Sequence, residues 1–262
     1  MTIGFIGYGN MAQAMIKGMI VSESYKSKNI IVSDLSVKEN TLGVNMTTNN
    51  QEVAGVADIL ILAVKPHQYE TVIHEIKGHL KVNTLIVSIA AGLTISTLES
   101  YFDYPVKLVR TMPNTPAMIG VGMTAIIPND QLAEKEIASV QQIFNSFGKT
   151  QRVDEALIDA VIVTSGSSPA YIYLMIEAMI QGGINEGMTR EMATTFVCQA
   201  MIGATGMVME TGIRPHDLCE AVCSPNGTTI EAVNYLNSEN FIEIVKAAMT
   251  VCAEKSRKMS KS

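Results

Sequence analysis

Five strand-sized apolar runs, Thr2–Ile6, Ile30–Val32, Ile59–Val64, Thr84–Ile89 and Val106–Arg110, constrain the fold of this chain more than any other feature. Helix-like segments, Asn10–Met19 and His67–Lys77 among them, lie between several of the runs. A strand that is apolar almost throughout must be covered on both faces. Strand–helix alternation of this kind therefore predicts a parallel sheet with helices on either side. A further strand is expected at Met123–Ile127 and a helix over Leu132–Phe144. Beyond Leu157 no run reads as a strand. Helical patterns take over at Ser168–Glu186, Arg190–Glu210, His216–Val222, Thr229–Leu236 and from Phe241 onward, punctuated by glycines and by Pro225-Asn226-Gly227. The expectation is a dinucleotide-type α/β domain over 1–153 and an all-α domain over 154–262. The last residues from Lys255 read as a frayed basic end.

The first run leads into Gly7-Tyr8-Gly9-Asn10-Met11-Ala12, which fits G-x-G-x-x-G/A between a strand and a helix. Gly7 permits the tight turn. Gly9 lets the backbone approach a pyrophosphate, and Ala12 allows close helix–strand packing. The anion then sits on free N–H groups at the helix N-terminus. The second strand leads into Ser33-Asp34. An acid there suits the adenosine ribose hydroxyls of NAD and repels the 2′-phosphate of NADP, so on charge alone NADH is favoured. Lys38 is the nearest cation in sequence. An ordinary turn aspartate is the alternative reading of Asp34.

Composition narrows the function classes. The formal net charge is −6, with no basic face to suggest nucleic-acid binding. Mean hydropathy is +0.23, high for a water-soluble chain. No uninterrupted apolar run approaches the ~20 residues of a spanning helix, so no membrane association is expected. The surplus apolar residues, including 17 Met, point instead to a buried interface between copies, in a homodimer or larger homo-oligomer. The start of the chain lacks a basic segment and a cleavage site, which predicts no signal peptide and a cytoplasmic location. Cys198, Cys219, Cys223 and Cys252 form no CxxC pair, and we expect reduced thiols and no metal. The four histidines read as solvated surface residues.

Five further segments carry a family resemblance: Ala63-Val64-Lys65-Pro66, Ser88-Ile89-Ala90-Ala91-Gly92, Arg110 to Ala117, Ser165 to Tyr171, and Ser224-Pro225-Asn226-Gly227-Thr228-Thr229-Ile230. In this order and spacing the chain resembles pyrroline-5-carboxylate reductases from Gly4 to about Lys258. The resemblance implies a Rossmann-like NAD(P)-binding domain, an all-helical dimerisation and substrate domain, NADPH or NADH as cofactor, and reduction of 1-pyrroline-5-carboxylate to L-proline, the last step of proline biosynthesis. It implies cofactor contacts from Ile6, Gly7, Tyr8, Gly9, Asn10 and Met11, from Asn50 near the adenosine, from Ala63, Val64, Lys65 and Pro66, and from Ile89, Ala90 and Ala91 near the nicotinamide. Glu155 matches a glutamate at the product site, and Thr228 and Thr229 match substrate-holding positions. Ser168 and Asn226 stand where the family usually has glycine, and Leu35 stands about where it often has an Arg that favours NADPH.

The chemistry asks mainly for orientation and for a proton at the ring nitrogen. Ser224, Gly227, Thr228 and Thr229 read as a turn into a helix whose free N–H groups suit the substrate carboxylate. The Thr229 hydroxyl is assigned to the ring nitrogen, positioning it before any proton donation. An N-cap threonine is the plainer reading. Glu155 orients the ring nitrogen or a water, or is an exposed helix-start glutamate. Lys65 orders the loop under the cofactor, and Arg110 braces the Pro113–Pro116 turn. Two other readings stay open: a related imine or hydroxyacid reductase, and a non-catalytic dinucleotide-binding protein. The β-hydroxyacid type uses a catalytic Lys in its helical half, and here no Lys occurs between Gln151 and Asn240.

Overall fold

The computed structural model describes residues 1–35, 40 and 42–259, so Lys38 lies outside the described residues. The chain divides into two compact units, Met1–Ser167 together with the chain from Ala253, and Ser168–Cys252.

The first unit is built on β1 (Ile3–Ile6), α1 (Asn10–Val21), β2 (Ile30–Ser33), β3 (Asn45–Thr47), α2 (Asn50–Val56), β4 (Ile59–Leu62), α3 (Tyr69–Ile76), β5 (Leu85–Ser88) and α4 (Ile95–Ser100). Then come β6 (Lys107–Met112), β7 (Gly122–Pro128), α5 (Glu134–Asn145), β8 (Gly148–Arg152) and the single turn α6 (Ile158–Val161). One sheet runs in the order β3-β2-β1-β4-β5-β6-β7-β8. The period of two along its strands sorts the core. Ile3, Phe5, Ile59, Ile61, Leu85 and Val87 face α1 and α5. Ile6, Leu60, Leu62 and Ile86 face α2, α3 and α4. Each such fully buried aliphatic side chain stabilises the fold by roughly 1.5–3 kcal/mol relative to exposure.

The expected parallel sheet holds for every pairing except β6 with β7, which is antiparallel. The reason is chain length. A parallel crossover needs a dozen or more residues. Between Met112 and Gly122 there is only a short loop with a 3₁₀ turn at Thr115–Ile119, so the chain doubles back. The short edge strands β3 and β8 and the short helices α2 and α4 were not foreseen. β8 reads Gly-Lys-Thr-Gln-Arg and has no apolar face to betray it.

The second unit is all helix: α7 (Ser168–Asn185), α8 (Arg190–Thr211), α9 (Pro215–Ala221), α10 (Thr228–Ser238) and most of α11 (Phe241–Met259). Gly187, at φ +95°, and a Thr189 hydroxyl that accepts from Met192 N turn α7 into α8. Ile180, Ala193 and Val197 form the small core between them. Of the end expected to fray, Lys255 to Met259 is helical, and residues 260–262 lie outside the described residues. By length and composition, Glu155–Asn185 and Arg190–Thr211 are apolar enough to cross a membrane. Counting uninterrupted apolar runs missed them because Gly, Ser and Thr are interspersed with their apolar residues. Much of their apolar surface is open to solvent in the single chain, including Leu174, Phe196 and Met209.

Candidate active site

β2 and β3 lie on one side of β1, and β4 onward on the other. Loops leaving neighbouring strands in opposite directions open a crevice at the strands' carboxyl ends. Here it is a cleft of about 1040 Å³. The floor is the turn after β1. Gly7 adopts φ +99°, and a Cβ on it would lie 2.7 Å from the Ala63 carbonyl oxygen. Its N–H donates to Ser33 O at 2.8 Å, while Ala63 N donates to Ile6 O at 2.8 Å. The turn is thus tied to both flanking strands, and only glycine fits. At Gly9 a Cβ would meet no atom within 4 Å. Gly9 caps α1 without a side chain, and the first turn of α1 holds no acidic residue. The orphan N–H groups of that turn are therefore left to an anionic ligand. Ala12 is buried beneath them.

The far wall carries Asp34 and Asn50. Asp34 Oδ2 accepts the Tyr8 N–H at 2.8 Å, so the carboxylate is fixed against the glycine turn. Asn50 opens α2. Its Oδ1 accepts from the buried Ser33 hydroxyl at 2.7 Å, and its Nδ2 donates to Glu75 Oε2 at 2.9 Å. On the near side, Lys65 N donates to Gln68 Oε1 at 3.1 Å, which shapes the Ala63–Pro66 segment. The Tyr69 hydroxyl, buried, donates to Leu62 O at the end of β4. Burial pushes its phenol well up, so it acts as a fixed donor. Ala90 N donates to Ser88 Oγ at 3.2 Å, and Thr111 Oγ1 donates to Ser88 O at 2.9 Å. These bonds set the Ile89–Ala91 stretch.

Every residue expected at the cofactor, namely Ile6 to Ala12, Ser33, Asp34, Asn50, Ala63 to Pro66 and Ile89 to Ala91, lines this one cleft. So do several that sequence reasoning missed: Gln68, Thr71 and Glu75 along one face of α3 and the segment before it, Thr115, and His67. The i, i+4 spacing of Thr71 and Glu75 was the available signal. His67 is exposed, as expected of a surface residue, but on the cleft rather than away from it.

In the second unit, Ser224, Gly227, Thr228 and Thr229 come together in the turn that starts α10. Gly227 N donates to Ser224 O at 3.0 Å. Asn226 takes φ +58°, a left-handed backbone that asparagine tolerates better than most residues. The cap of α10 is Gly227, with no side-chain bond, so Thr228 and Thr229 are its first two helical residues. Thr229 is therefore not an N-cap. Its hydroxyl and the first N–H groups of α10 lie at an uncapped helix start.

Glu155 lies in the first unit. Its Oε1 accepts from Arg110 Nη1 at 2.7 Å and from Ile95 N at 2.8 Å. Among the described residues Oε2 has no hydrogen-bond partner in the protein. Arg110 does not brace the Pro113–Pro116 turn. Asn114 does, accepting from Met123 N at 2.9 Å and donating to Ser165 O at 3.2 Å. Among the described residues one trio, His216, Asp217 and Glu220, has metal-ligand spacing. Asp217, however, is already gripped by both arms of Arg214, at 2.7 and 2.6 Å. Among the described residues the four cysteines form no disulfide.

A left-handed glycine, an open approach at Gly9 and uncapped helix amides at a topological switch point fit a dinucleotide pyrophosphate. Fold and cleft define an NAD(P)-dependent oxidoreductase. Residues 2–92 match the family model described as NADP oxidoreductase coenzyme F420-dependent, and residues 155–259 match that for pyrroline-5-carboxylate reductase dimerisation. The Escherichia coli (strain K12) pyrroline-5-carboxylate reductase is 43% identical over 265 residues, covering 99% of this chain and 98% of the relative. The Arabidopsis thaliana enzyme is 35% identical, covering 99% and 96%. The crystal structure of Plasmodium falciparum pyrroline carboxylate reductase with NADP bound superposes with a TM-score of 0.92 at 33% identity, covering 99% of this chain and 98% of that one. The chain belongs to the pyrroline-5-carboxylate reductase family.

Proposed function

We propose that this chain reduces 1-pyrroline-5-carboxylate to L-proline with NADPH or NADH, in the cytoplasm, as a homodimer or larger homo-oligomer, and that the residues gathered above perform the reaction. The observation that carries this reading is the single cleft into which the glycine turn, Asp34, Asn50 and the ends of β4 and β5 converge, in a chain with reductase relatives along its whole length.

Nicotinamide, when bound, supplies the hydride that the imine carbon accepts. The chain's own residues bind and orient. The uncapped amides of α1 take the pyrophosphate, Asp34 and Asn50 serve the adenosine end, and Ala63–Pro66 and Ile89–Ala91 support the nicotinamide end. The first N–H groups of α10, at Thr228 and Thr229, suit a carboxylate, aided by the helix dipole. The Thr229 hydroxyl hydrogen-bonds the ring nitrogen and fixes its direction. An unperturbed hydroxyl is a weak acid, so its main contribution is geometry, with the proton drawn from the iminium form or a water. Glu155 keeps one carboxylate oxygen for the ring nitrogen or that water. Ser224 and Gly227 hold the shape of the turn.

Thr229→Ala tests the assignment. It is expected to lower kcat/KM for the imine by about 10- to 100-fold while leaving the dissociation constant for NAD(P)H within about twofold. Equal imine kinetics in the variant would remove Thr229 from the mechanism.

A further inference from the structure

The proposed function leaves Arg110 without a role, yet among the described residues Arg110 is the largest fully buried side chain, 2% exposed. It stands within β6 and lines a pocket together with Thr94, Glu155, Asp159 and Arg257. Its Nη1 donates to Glu155 Oε1 at 2.7 Å. The same oxygen accepts the backbone N–H of Ile95 at 2.8 Å. Ile95 is the first helical residue of α4, directly after the N-cap Thr94. The carboxylate therefore does what an acid at a helix start does, satisfying an orphan N–H, while a buried guanidinium holds it in place.

This bond governs more than the start of a helix. The residues between β5 and α4 include Ile89, Ala90 and Ala91, which line the cofactor cleft. Gly92 follows at φ +86°, and Thr94 N-caps α4 through Thr97 N. One end of this loop is anchored to β5 and β6 by Ser88 and Thr111. The other end is anchored by Thr94 and by the bond from Ile95 N to Glu155. The last turns of α11 close over the same region. Ser256 Oγ donates to Asp159 Oδ1 at 2.6 Å, and the Met259 carbonyl oxygen lies 3.8 Å from where a Cβ on Gly92 would stand.

We propose that Arg110 is a positioning residue: through Glu155 and the Ile95 N–H it holds the β5–α4 loop in the shape that lines the nicotinamide end of the cofactor cleft. This rests on the reading of that cleft as the dinucleotide site. The contact is a single charge-assisted bond from Nη1, and burial of the guanidinium within β6 keeps the donor in place. Removing Arg110 leaves Glu155, a third exposed, without its cation, which sets the design of the test.

The test uses purified full-length Arg110→Met, Arg110→Met/Glu155→Gln and Ile95→Pro, with thermal unfolding as the fold control and NAD(P)H binding by fluorescence in the absence of imine. Arg110→Met strands Glu155, and its Tm is expected to fall. The double variant removes the stranded charge and is expected to regain most of that Tm, yet to bind NAD(P)H about tenfold more weakly than the wild type. Proline suits the first helical position; it deletes the N–H that Glu155 accepts and also shortens a half-buried side chain, so folding is checked by Tm. Ile95→Pro is therefore expected to fold and to show a similar loss. Recovery of both Tm and cofactor affinity in the double variant, or wild-type affinity in folded Ile95→Pro, would overturn the proposal and leave the pair as fold stabilisation alone. Failure of the wild type itself to bind NAD(P)H would strike the reading of the cleft instead.

Discussion

At the scale of single residues, Asp34 shows how one side chain serves structure and selectivity together. Its carboxylate accepts the Tyr8 N–H, so one amide of the glycine turn is already satisfied from within the protein. The negative charge stays in the cleft wall, where it suits ribose hydroxyls and opposes a 2′-phosphate. Asp34→Asn keeps an oxygen acceptor for Tyr8 N and removes the charge. It is expected to raise the ratio of kcat/KM for NADPH over NADH by about tenfold, about 1.4 kcal/mol of differential binding. A ratio unchanged in the variant, measured with the two cofactors in parallel, would confine Asp34 to bracing the turn.

At the scale of elements, short polar ties hold the ends of strands. Asp58 precedes β4. It accepts from Lys81 Nζ at 2.8 Å and from Thr2 N at 2.8 Å, and both hold its carboxyl below the usual range. Glu136 opens α5. Lys107 Nζ on β6, at 2.6 Å, and then Ala133 N, at 2.9 Å, do the same to it. A folded pKa below the unfolded value contributes stability that is fully present above the unfolded value and is lost as pH falls through the folded one. Stability should therefore be flat at neutral pH and decline below roughly pH 4. Asp58→Asn and Glu136→Gln should each lower Tm at pH 7 and flatten the acid decline. A Tm-against-pH curve of unchanged shape in both variants would contradict this.

The same scale shows what the sequence could and could not reveal. The apolar strands and long helices were legible because burial imposes their period, and the glycine turn because only glycine meets the backbone demand at Gly7. β8 was not legible, because an edge strand needs no apolar face. Nor was the reversal at β7, which depends on the length of a loop. The Arg110–Glu155 bond was missed for another reason. Its partners lie far apart in sequence, and only the finished sheet brings them together.

At the scale of the whole molecule, the second unit leaves large apolar side chains open to solvent in the single chain. Leu174 on α7, Phe196 and Met209 on α8 and Val251 on α11 are each more than three-fifths exposed. Helices apolar on more than one face are stable when another surface covers them. A second copy of the same helices would do so, and would also account for Glu155–Asn185 and Arg190–Thr211 being long and apolar enough to cross a membrane. Sedimentation without detergent at micromolar concentration should show a dimer or larger species and no monomer. Phe196→Asp should weaken that assembly. A stable wild-type monomer, or a chain that pellets with membranes and needs detergent for release, would contradict it.

Reduction of 1-pyrroline-5-carboxylate by this chain is tested most directly by the loss of reduced-nicotinamide absorbance on adding the imine, with NADPH and NADH in parallel and L-proline assayed as product. Oxidation should depend on the imine, with proline formed in equal amount. Protein that binds either cofactor yet oxidises neither in the presence of the imine would contradict it.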